Sequence, residues 1–134
     1  MLKNIVFDFY GVLLDTVKDT VDNEMLEICA SLKRRGFSLN IFTNTSFDHI
    51  HSVEEKHYFL KFFDNVISCT EKQKPSKESF NSLLNILSCN PNEILFVDDS
   101  EKNISVAKEF GIIGIIFTNI EDLKLKLSEK LNDN

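Results

Sequence analysis

Five short runs rich in β-branched and aromatic residues alternate along the chain with longer amphipathic segments, and this alternation limits the possible fold more than any other feature. Strands separated by helix-length segments are typical of βαβ units, which place successive strands parallel in one sheet. The runs are almost continuously apolar, as strands covered by helices on both faces require. The predicted strands span residues 4–9, 38–43, 65–69, 93–97 and 112–118.

The segments between these runs carry apolar side chains at helical spacing, as Phe80 and Leu83 do in one of them. Ser46 or Asp48 is predicted to cap the second of these segments, which is expected to be helical only in part. The predicted helices lie within residues 21–35, 46–63, 76–87, 100–110 and 120–131. The pattern predicts an α/β fold, a Rossmann-like three-layer sandwich with a five-stranded parallel sheet, in a single domain over residues 1–134.

The composition limits the binding partners and the location. A formal net charge of −6 argues against a general nucleic-acid or anionic-membrane surface, because both reward an excess of Lys and Arg. No apolar run approaches the ~20 residues of a membrane helix, and the first residues lead into a strand rather than a signal peptide. Three widely spaced cysteines favour reduced thiols over a disulfide or a zinc site. We therefore predict a cytoplasmic protein.

Polar residues follow several of the predicted strands at the point where the apolar run ends. Each of them alone is typical of a turn or a helix cap. In a parallel sheet, however, the carboxyl ends of the strands meet at one edge, which is where such folds bind ligands. The residues are Asp8 after the first strand, Thr43 and Asn44 at the end of the second, Lys74 in the loop after the third, and Asp98 and Asp99 after the fourth.

These residue types complement each other chemically. Asp8 and Asp99 supply the hard oxygen ligands that suit Mg²⁺, which takes one or two carboxylates together with water and substrate phosphate. Thr43 and Lys74 supply hydrogen-bond donors for an anion. A carboxylate nucleophile, a divalent cation and a cationic donor are the parts needed for phosphoryl transfer through an aspartyl-phosphate.

Four segments of the chain resemble, in order, the four motifs of the haloacid dehalogenase-like hydrolase superfamily. The first motif of that superfamily reads Asp, any residue, Asp, Gly, then Thr or Val. The matching segments here are IVFDFYGVLLDT, LNIFTNTS, FFDNVISCTEKQKPSKESF and ILFVDDSEKNISVAKEFGI. Each lies at a predicted strand end, so the resemblance extends along nearly the whole chain.

The resemblance implies a role for each polar residue. Asp8 would be the nucleophile and a metal ligand, while the backbone carbonyl of Tyr10 and the carboxylate of Asp99 would complete the Mg²⁺ site. Asp98 and Asn103 would support that site. Thr43, Asn44 and Lys74 would hold the transferred phosphoryl group and orient the nucleophile.

The spacing of the motifs leaves no room for the cap domain that many members of the superfamily insert. Only one helix-length segment separates Asp8 from Thr43, and another separates Thr43 from Lys74. We therefore expect an open site without a cap, which could accept a phosphorylated small molecule or a phosphorylated macromolecule. The oligomeric state is left open by the sequence.

Tyr10 stands where phosphatases of the superfamily have an Asp that protonates the leaving group and then activates water. A phenol with a pKa of about 10 can donate a proton but accepts one poorly near pH 7. The leading hypothesis is thus a Mg²⁺-dependent phosphohydrolase that is weak or restricted to activated phosphates. One alternative is a catalytically impaired relative that binds a phosphorylated ligand or protein.

A third alternative is a 2-haloacid dehalogenase, because dehalogenases of the superfamily resemble the segment FDFYGVL. Those enzymes use a cap and an arginine near the halide. Arg34 and Arg35 are predicted to lie at the opposite edge of the sheet. The acidic pair of Asp98 and Asp99 also favours a metal, which the dehalogenases do not use.

Overall fold

The computed structural model describes residues 1–131 and contains a five-stranded, fully parallel sheet covered by helices. The strands of this sheet lie in the order β5-β4-β1-β6-β7, with β1 at its centre. Their bounds are β1 Asn4–Phe7, β4 Ser38–Thr43, β5 Asn65–Ser68, β6 Ile94–Asp98 and β7 Ile113–Ile116, and a separate hairpin supplies β2 Leu14–Asp15 and β3 Thr20–Val21. The predicted α/β class and the parallel sheet are confirmed. The last three residues of the predicted domain lie outside the described residues.

The first strand is shorter than predicted because the chain turns directly after the sheet. The Asp8 amide still donates to the Val97 carbonyl, but the Phe9 carbonyl accepts from the amides of Leu13 and Leu14, each at 2.9 Å. Residues 12–14 therefore lead into the small hairpin, which the sequence pattern did not predict. Two-residue strands are too short for a recognisable alternation of apolar and polar side chains.

Within residues 1–131, four α-helices precede strands of the sheet and a fifth follows β7, and each begins at a side-chain cap of the ordinary kind. Ser46 accepts from the His49 amide at the start of the second helix, which confirms one of the two predicted caps. That helix ends at Tyr58, which adopts a left-handed conformation with φ of 51°, so the segment 46–63 is helical only in part, as expected. The helices are α1 Asn23–Arg34, α2 Phe47–His57, α3 Lys77–Leu87, α4 Glu101–Glu109 and α5 Ile120–Lys130.

Alternate residues of the central strands build a core on each face of the sheet. Phe7 of β1 packs into one core with side chains of α1 and α5, such as Met25 and Leu123. Val6 packs into the other core, which contains Phe80 of α3. The double coverage explains why the strands are apolar on both faces. None of the helices within residues 1–131 combines the length and apolar character that a membrane span needs.

The strand order determines where the polar residues meet. Because β4, β1 and β6 are neighbours, their carboxyl ends bring Thr43, Asp8 and Asp98 to the centre of one edge of the sheet. Arg34 lies at the end of α1, just before β4 begins, and therefore at the other edge.

Candidate active site

Three carboxylates cluster where β1 and β6 end. Asp8, Asp98 and Asp99 each place an oxygen within 4.8 Å of the others. Asp98 is completely buried, whereas Asp99 is exposed and the side chain of Asp8 retains 13% of its accessible surface. The cluster therefore has a buried base and an open side that a ligand can approach.

Lys74 compensates this negative charge from inside the protein. Its Nζ donates to Asp8 Oδ1 at 2.8 Å, to Asp98 Oδ2 at 3.1 Å and to the Phe42 carbonyl at 2.7 Å. The rings of Phe42 and Phe96 lie 5.1 and 5.4 Å from the ammonium. Since only 2% of its side chain is exposed, Lys74 is held as a fixed cation rather than a solvated one.

Asn44 fixes the backbone at Lys74. Its side-chain amide donates to the Lys74 carbonyl at 3.1 Å, and its side-chain oxygen accepts from the Lys74 amide at 2.7 Å. The sequence resemblance implied that Asn44 binds phosphate, and the side chain is instead paired with the loop that carries the lysine. A role of Asn44 in phosphate binding stays a prediction. Thr43 is buried, and its Oγ1 accepts from the Thr45 amide at 3.1 Å.

Both carboxylate oxygens of Asp98 accept hydrogen bonds from neighbouring residues of the protein. One of its oxygens accepts from the Ser100 amide at 2.9 Å, and the other accepts from Asn103 Nδ2 at 3.0 Å. Asn103 is itself buried on the first turn of α4. Asp98 and Asn103 therefore lie at the buried base of the cluster, whereas Asp99 lies at its open side, and the predicted supporting role of Asp98 and Asn103 stays a prediction.

Gly11 is a site residue that the sequence prediction did not include. Its φ of +83° favours glycine, and a Cβ built at this position would lie 2.3 Å from Asp99 Oδ2. The backbone after β1 can therefore approach the carboxylate only without a side chain. The glycine of the first motif was the available signal, since glycine often marks a position where another group approaches the backbone closely.

Two of these groups, Asp8 and Asp99, have a pKa above that of an ordinary carboxyl group. Burial raises the pKa of Asp8 to about 6, against the opposing effect of Lys74 and with a further contribution from Asp98. The pKa of Asp99 is also raised, mainly by burial and further by the neighbouring Asp98 carboxyl. Three carboxylates facing one ammonium leave an excess of negative charge. Hard carboxylate oxygens with excess negative charge fit Mg²⁺.

The affinity for Mg²⁺ is expected to fall in acid because protons compete for the same oxygens. With a pKa of about 6, the Asp8 carboxyl is mostly ionised at pH 7.5, but only about a tenth of it is ionised one unit below the pKa. Binding of Mg²⁺ should therefore be about tenfold weaker at pH 5 than at pH 7.5. Calorimetric titration at the two pH values measures this, and equal affinities would contradict the assigned ligand set.

The side chain of Tyr10 is directed to α2. Its hydroxyl is hydrogen-bonded to His49 Nε2, and the two rings stack with centroids 5.5 Å apart. Burial raises the pKa of Tyr10, and the charge of Asp19 raises it further. The hydroxyl is thus an even weaker acid than a free phenol and is already engaged by a neighbouring helix.

A model of the family described as haloacid dehalogenase-like hydrolase matches residues 18–117. The chain belongs to this family. The predicted membership of the superfamily is thereby confirmed, and the matched residues begin after the first motif. The absence of a cap and the role of Tyr10 are details that the match does not test, and they stay predictions.

Two relatives and one solved structure show the range of proteins to which this family member is similar. Bifunctional epoxide hydrolase 2 of Mus musculus is 30% identical over 106 residues, covering 75% of this chain and 19% of the relative. The sesquiterpene phosphatase astK of Aspergillus oryzae is 27% identical over 100 residues, covering 73% of this chain and 51% of the relative. The chain therefore spans between about a fifth and about half of the length of these relatives.

The solved structure is that of the HAD family enzyme BT-2542 of Bacteroides thetaiotaomicron in complex with magnesium and inorganic phosphate. It is 18% identical, covers 92% of this chain and 99% of that protein, and superposes with a TM-score of 0.77. This likeness shows the shared α/β fold of the family.

Proposed function

We propose that the protein is a Mg²⁺-dependent phosphohydrolase that uses Asp8 as its nucleophile and prefers activated phosphates. The observation that carries the proposal is the cluster of Asp8, Asp98 and Asp99 around the buried ammonium of Lys74. A relative named as a phosphatase and a neighbouring structure that contains magnesium and phosphate support the same chemistry.

The residues divide the work of the reaction between them. Asp8 attacks phosphorus, so that a bond from its carboxylate oxygen forms while the bond to the ester oxygen of the leaving group breaks. Lys74 holds Asp8 Oδ1 at 2.8 Å and thereby orients the other oxygen of the carboxylate. Water then attacks the phosphorus of the aspartyl-phosphate, so that a new P–O bond forms, the bond to the Asp8 oxygen breaks, and the proton of the water passes to solvent as phosphate is released. Mg²⁺, held by Asp8, Asp99 and the Tyr10 carbonyl, would neutralise charge that develops on the phosphoryl oxygens.

The leaving group decides how much acid catalysis this mechanism needs. An aryl or acyl phosphate releases a stable anion, whereas an alkyl phosphate requires a proton on the departing oxygen. Tyr10 is a poor source of that proton, because its pKa is raised and its hydroxyl is bound to His49. Activated phosphates are therefore the substrate class that this site suits best.

The proposal is tested by measuring hydrolysis of an aryl phosphate, an acyl phosphate and an alkyl phosphate with and without Mg²⁺. We expect turnover of the first two only when Mg²⁺ is present. Binding of all three compounds without turnover of any would favour the second candidate, a relative that binds phosphorylated ligands. The engagement of Tyr10 by His49 is the observation that favours that candidate.

Removal of the exposed carboxylate is expected to abolish Mg²⁺ binding. Asp99→Ala takes away the ligand on the open side of the cluster and leaves the buried Asp98 with its own hydrogen bonds. Calorimetry should detect binding at millimolar Mg²⁺ or below in the wild type and none in the variant. Glu109→Ala, which removes an exposed carboxylate at the far end of α4, is the matched control. Equal binding by wild type and Asp99→Ala would show that the ligand set is wrong.

Phosphate binding is expected to depend on Lys74. With Mg²⁺ present, phosphate at ten times its Kd should stabilise the wild type by about 1.4 kcal/mol and raise its Tm by about 3–6 °C. Lys74→Met should lose at least half of this shift, because the buried ammonium is removed. Lys72→Met changes an exposed lysine two residues away and should keep the whole shift. An undiminished shift in Lys74→Met would place the anion elsewhere.

A further inference from the structure

A cavity of about 110 Å³ opens beside Tyr10, between α2 and the hairpin of β2 and β3. We call it the Tyr10 cleft. Its α2 side is formed by His49, Ser52, Val53, Lys56 and His57, and its hairpin side is formed by Leu14 and Asp19. Tyr10, only two residues after the proposed nucleophile, forms the wall nearest to the site.

The residues of α2 that line the Tyr10 cleft share one face of the helix. Positions 49, 52 and 56 recur at intervals of three and four, so their side chains lie above one another. The helix begins directly after Ser46, two residues beyond Asn44 of the site. From His49 to Lys56 the helix rises roughly 10 Å, so the cleft extends from Tyr10 along α2.

Several side chains that line the Tyr10 cleft are hydrogen-bond donors without a partner among residues 1–131. Within residues 1–131, the side chains of Ser52, Lys56 and His57 form no hydrogen bond or ion pair with another residue. Tyr10 and His49 bind each other and form an aromatic wall. Asp19 is the one carboxylate among the lining residues. The cleft thus offers an ammonium, a hydroxyl and an imidazole against a single acceptor group.

A purely structural role accounts for part of this arrangement. Lys56 and His57 lie in the last turn of α2, where basic side chains interact favourably with the negative end of the helix dipole. An interaction with the helix dipole does not require the two side chains to lie on a particular face of the helix. It therefore does not explain why both line the same cavity as Tyr10. A leaving group that extends past Tyr10 along this face of α2 would lie beside these side chains.

We propose that the Tyr10 cleft binds the leaving group of the substrate and selects a leaving group that carries an anionic substituent, such as a carboxylate. This inference rests on the proposed function, because it takes the phosphoryl group to be bound at Asp8. Lys56 attracts the anion, Ser52 and His57 donate to it, and Asp19 opposes it. The two charged residues therefore have opposite effects on selectivity.

The test uses two non-hydrolysable ligands of equal size, 4-carboxybenzylphosphonate and 4-carbamoylbenzylphosphonate, titrated calorimetrically at low salt with Mg²⁺ present. The wild type should bind the carboxylate about fivefold more tightly than the neutral amide, the range of an accessible ion pair. Lys56→Gln should reduce this ratio to about one, and Asp19→Asn should raise it above the wild-type value. Lys108→Gln, a change in the last turn of α4, is the matched control and should leave the ratio unchanged.

The outcomes separate this inference from the proposed function. A wild-type ratio of one or less, or a ratio that Lys56→Gln does not change, overturns the selectivity of the cleft. Hydrolysis of 4-carboxyphenyl and 4-carbamoylphenyl phosphate is measured on the same preparations. Turnover of both esters without a binding preference overturns the inference alone. A preference that depends on Lys56, without turnover of either ester, upholds the inference and overturns the proposed hydrolysis.

Discussion

Replacing Tyr10 by Asp is expected to raise kcat/KM for alkyl phosphates by at least about 10-fold, and by as much as about 10⁴-fold. The substitution supplies a carboxyl group that can protonate the departing oxygen and later accept a proton from water. The backbone carbonyl at position 10, proposed to bind Mg²⁺, is kept. The phenol that is bound to His49 is removed at the same time.

The matched control for this variant is Tyr10→Asn, which has the size of Asp but carries no titratable proton. It should leave the rate for alkyl phosphates low. Aryl phosphates should gain less from Tyr10→Asp than alkyl phosphates, because their leaving groups need less protonation. If Tyr10→Asp leaves kcat/KM unchanged for both substrates while the Tm shows an intact fold, Tyr10 does not limit turnover. That result would favour the second candidate, a relative that binds phosphorylated ligands without hydrolysing them.

Asp8→Asn should abolish hydrolysis, with a loss of at least about 10³-fold in kcat, because no other group in the cluster is placed as the nucleophile. In the wild type, quenching in acid during turnover of an aryl phosphate should trap one phosphoryl group on the peptide that contains Asp8. Mass spectrometry detects this adduct. The variant should show no adduct. An adduct on a residue other than Asp8 would show that the assignment of Asp8 as the nucleophile is wrong.

The fold of Asp8→Asn is expected to survive. The pKa of Asp8 is raised to about 6 in the folded protein, above its ordinary value of 3.8. A raised pKa means that folding favours the neutral carboxyl group over the ionised carboxylate. The stability that the neutral group contributes is therefore lost as the pH rises from 3.8 through about 6. A neutral Asn avoids this cost at pH 7, and Lys74 keeps Asp98 as its partner. The Tm of the variant should therefore not fall by more than a few degrees, which separates the loss of activity from unfolding.

The sequence predicted the positions that lie at the site because parallel strands bring their carboxyl ends together. Asp8, Thr43 and Asp98 meet through the order of β4, β1 and β6. The lysine that compensates the cluster was predicted from the third motif, and its ion pairs with Asp8 and Asp98 agree with a location at this edge of the sheet. Periodicity and strand ends are local signals, and they were sufficient for this part.

Other features depended on contacts between distant residues, which no local pattern carries. His49 lies 39 positions after Tyr10, and nothing in the spacing of either residue indicated that they would be hydrogen-bonded. The pairing of Asn44 with the Lys74 backbone joins two loops in the same way. The hairpin after Gly11 was missed because its strands have two residues each. These contacts form only when the complete sheet positions the loops.

The double hydrogen bond between Asn44 and Lys74 has a consequence for engineering the chain. It ties the loop after β5 down at its far end, immediately before the capped start of α3 at Ser76. Residues 70–73, just upstream of this tie, are all exposed. Lengthening a surface loop adds little closure entropy, so a foreign segment could be grafted there while the lysine keeps its place. This loop is thus a suitable attachment point for a lid of chosen chemistry over the edge of the sheet where Asp8 and Asp99 lie.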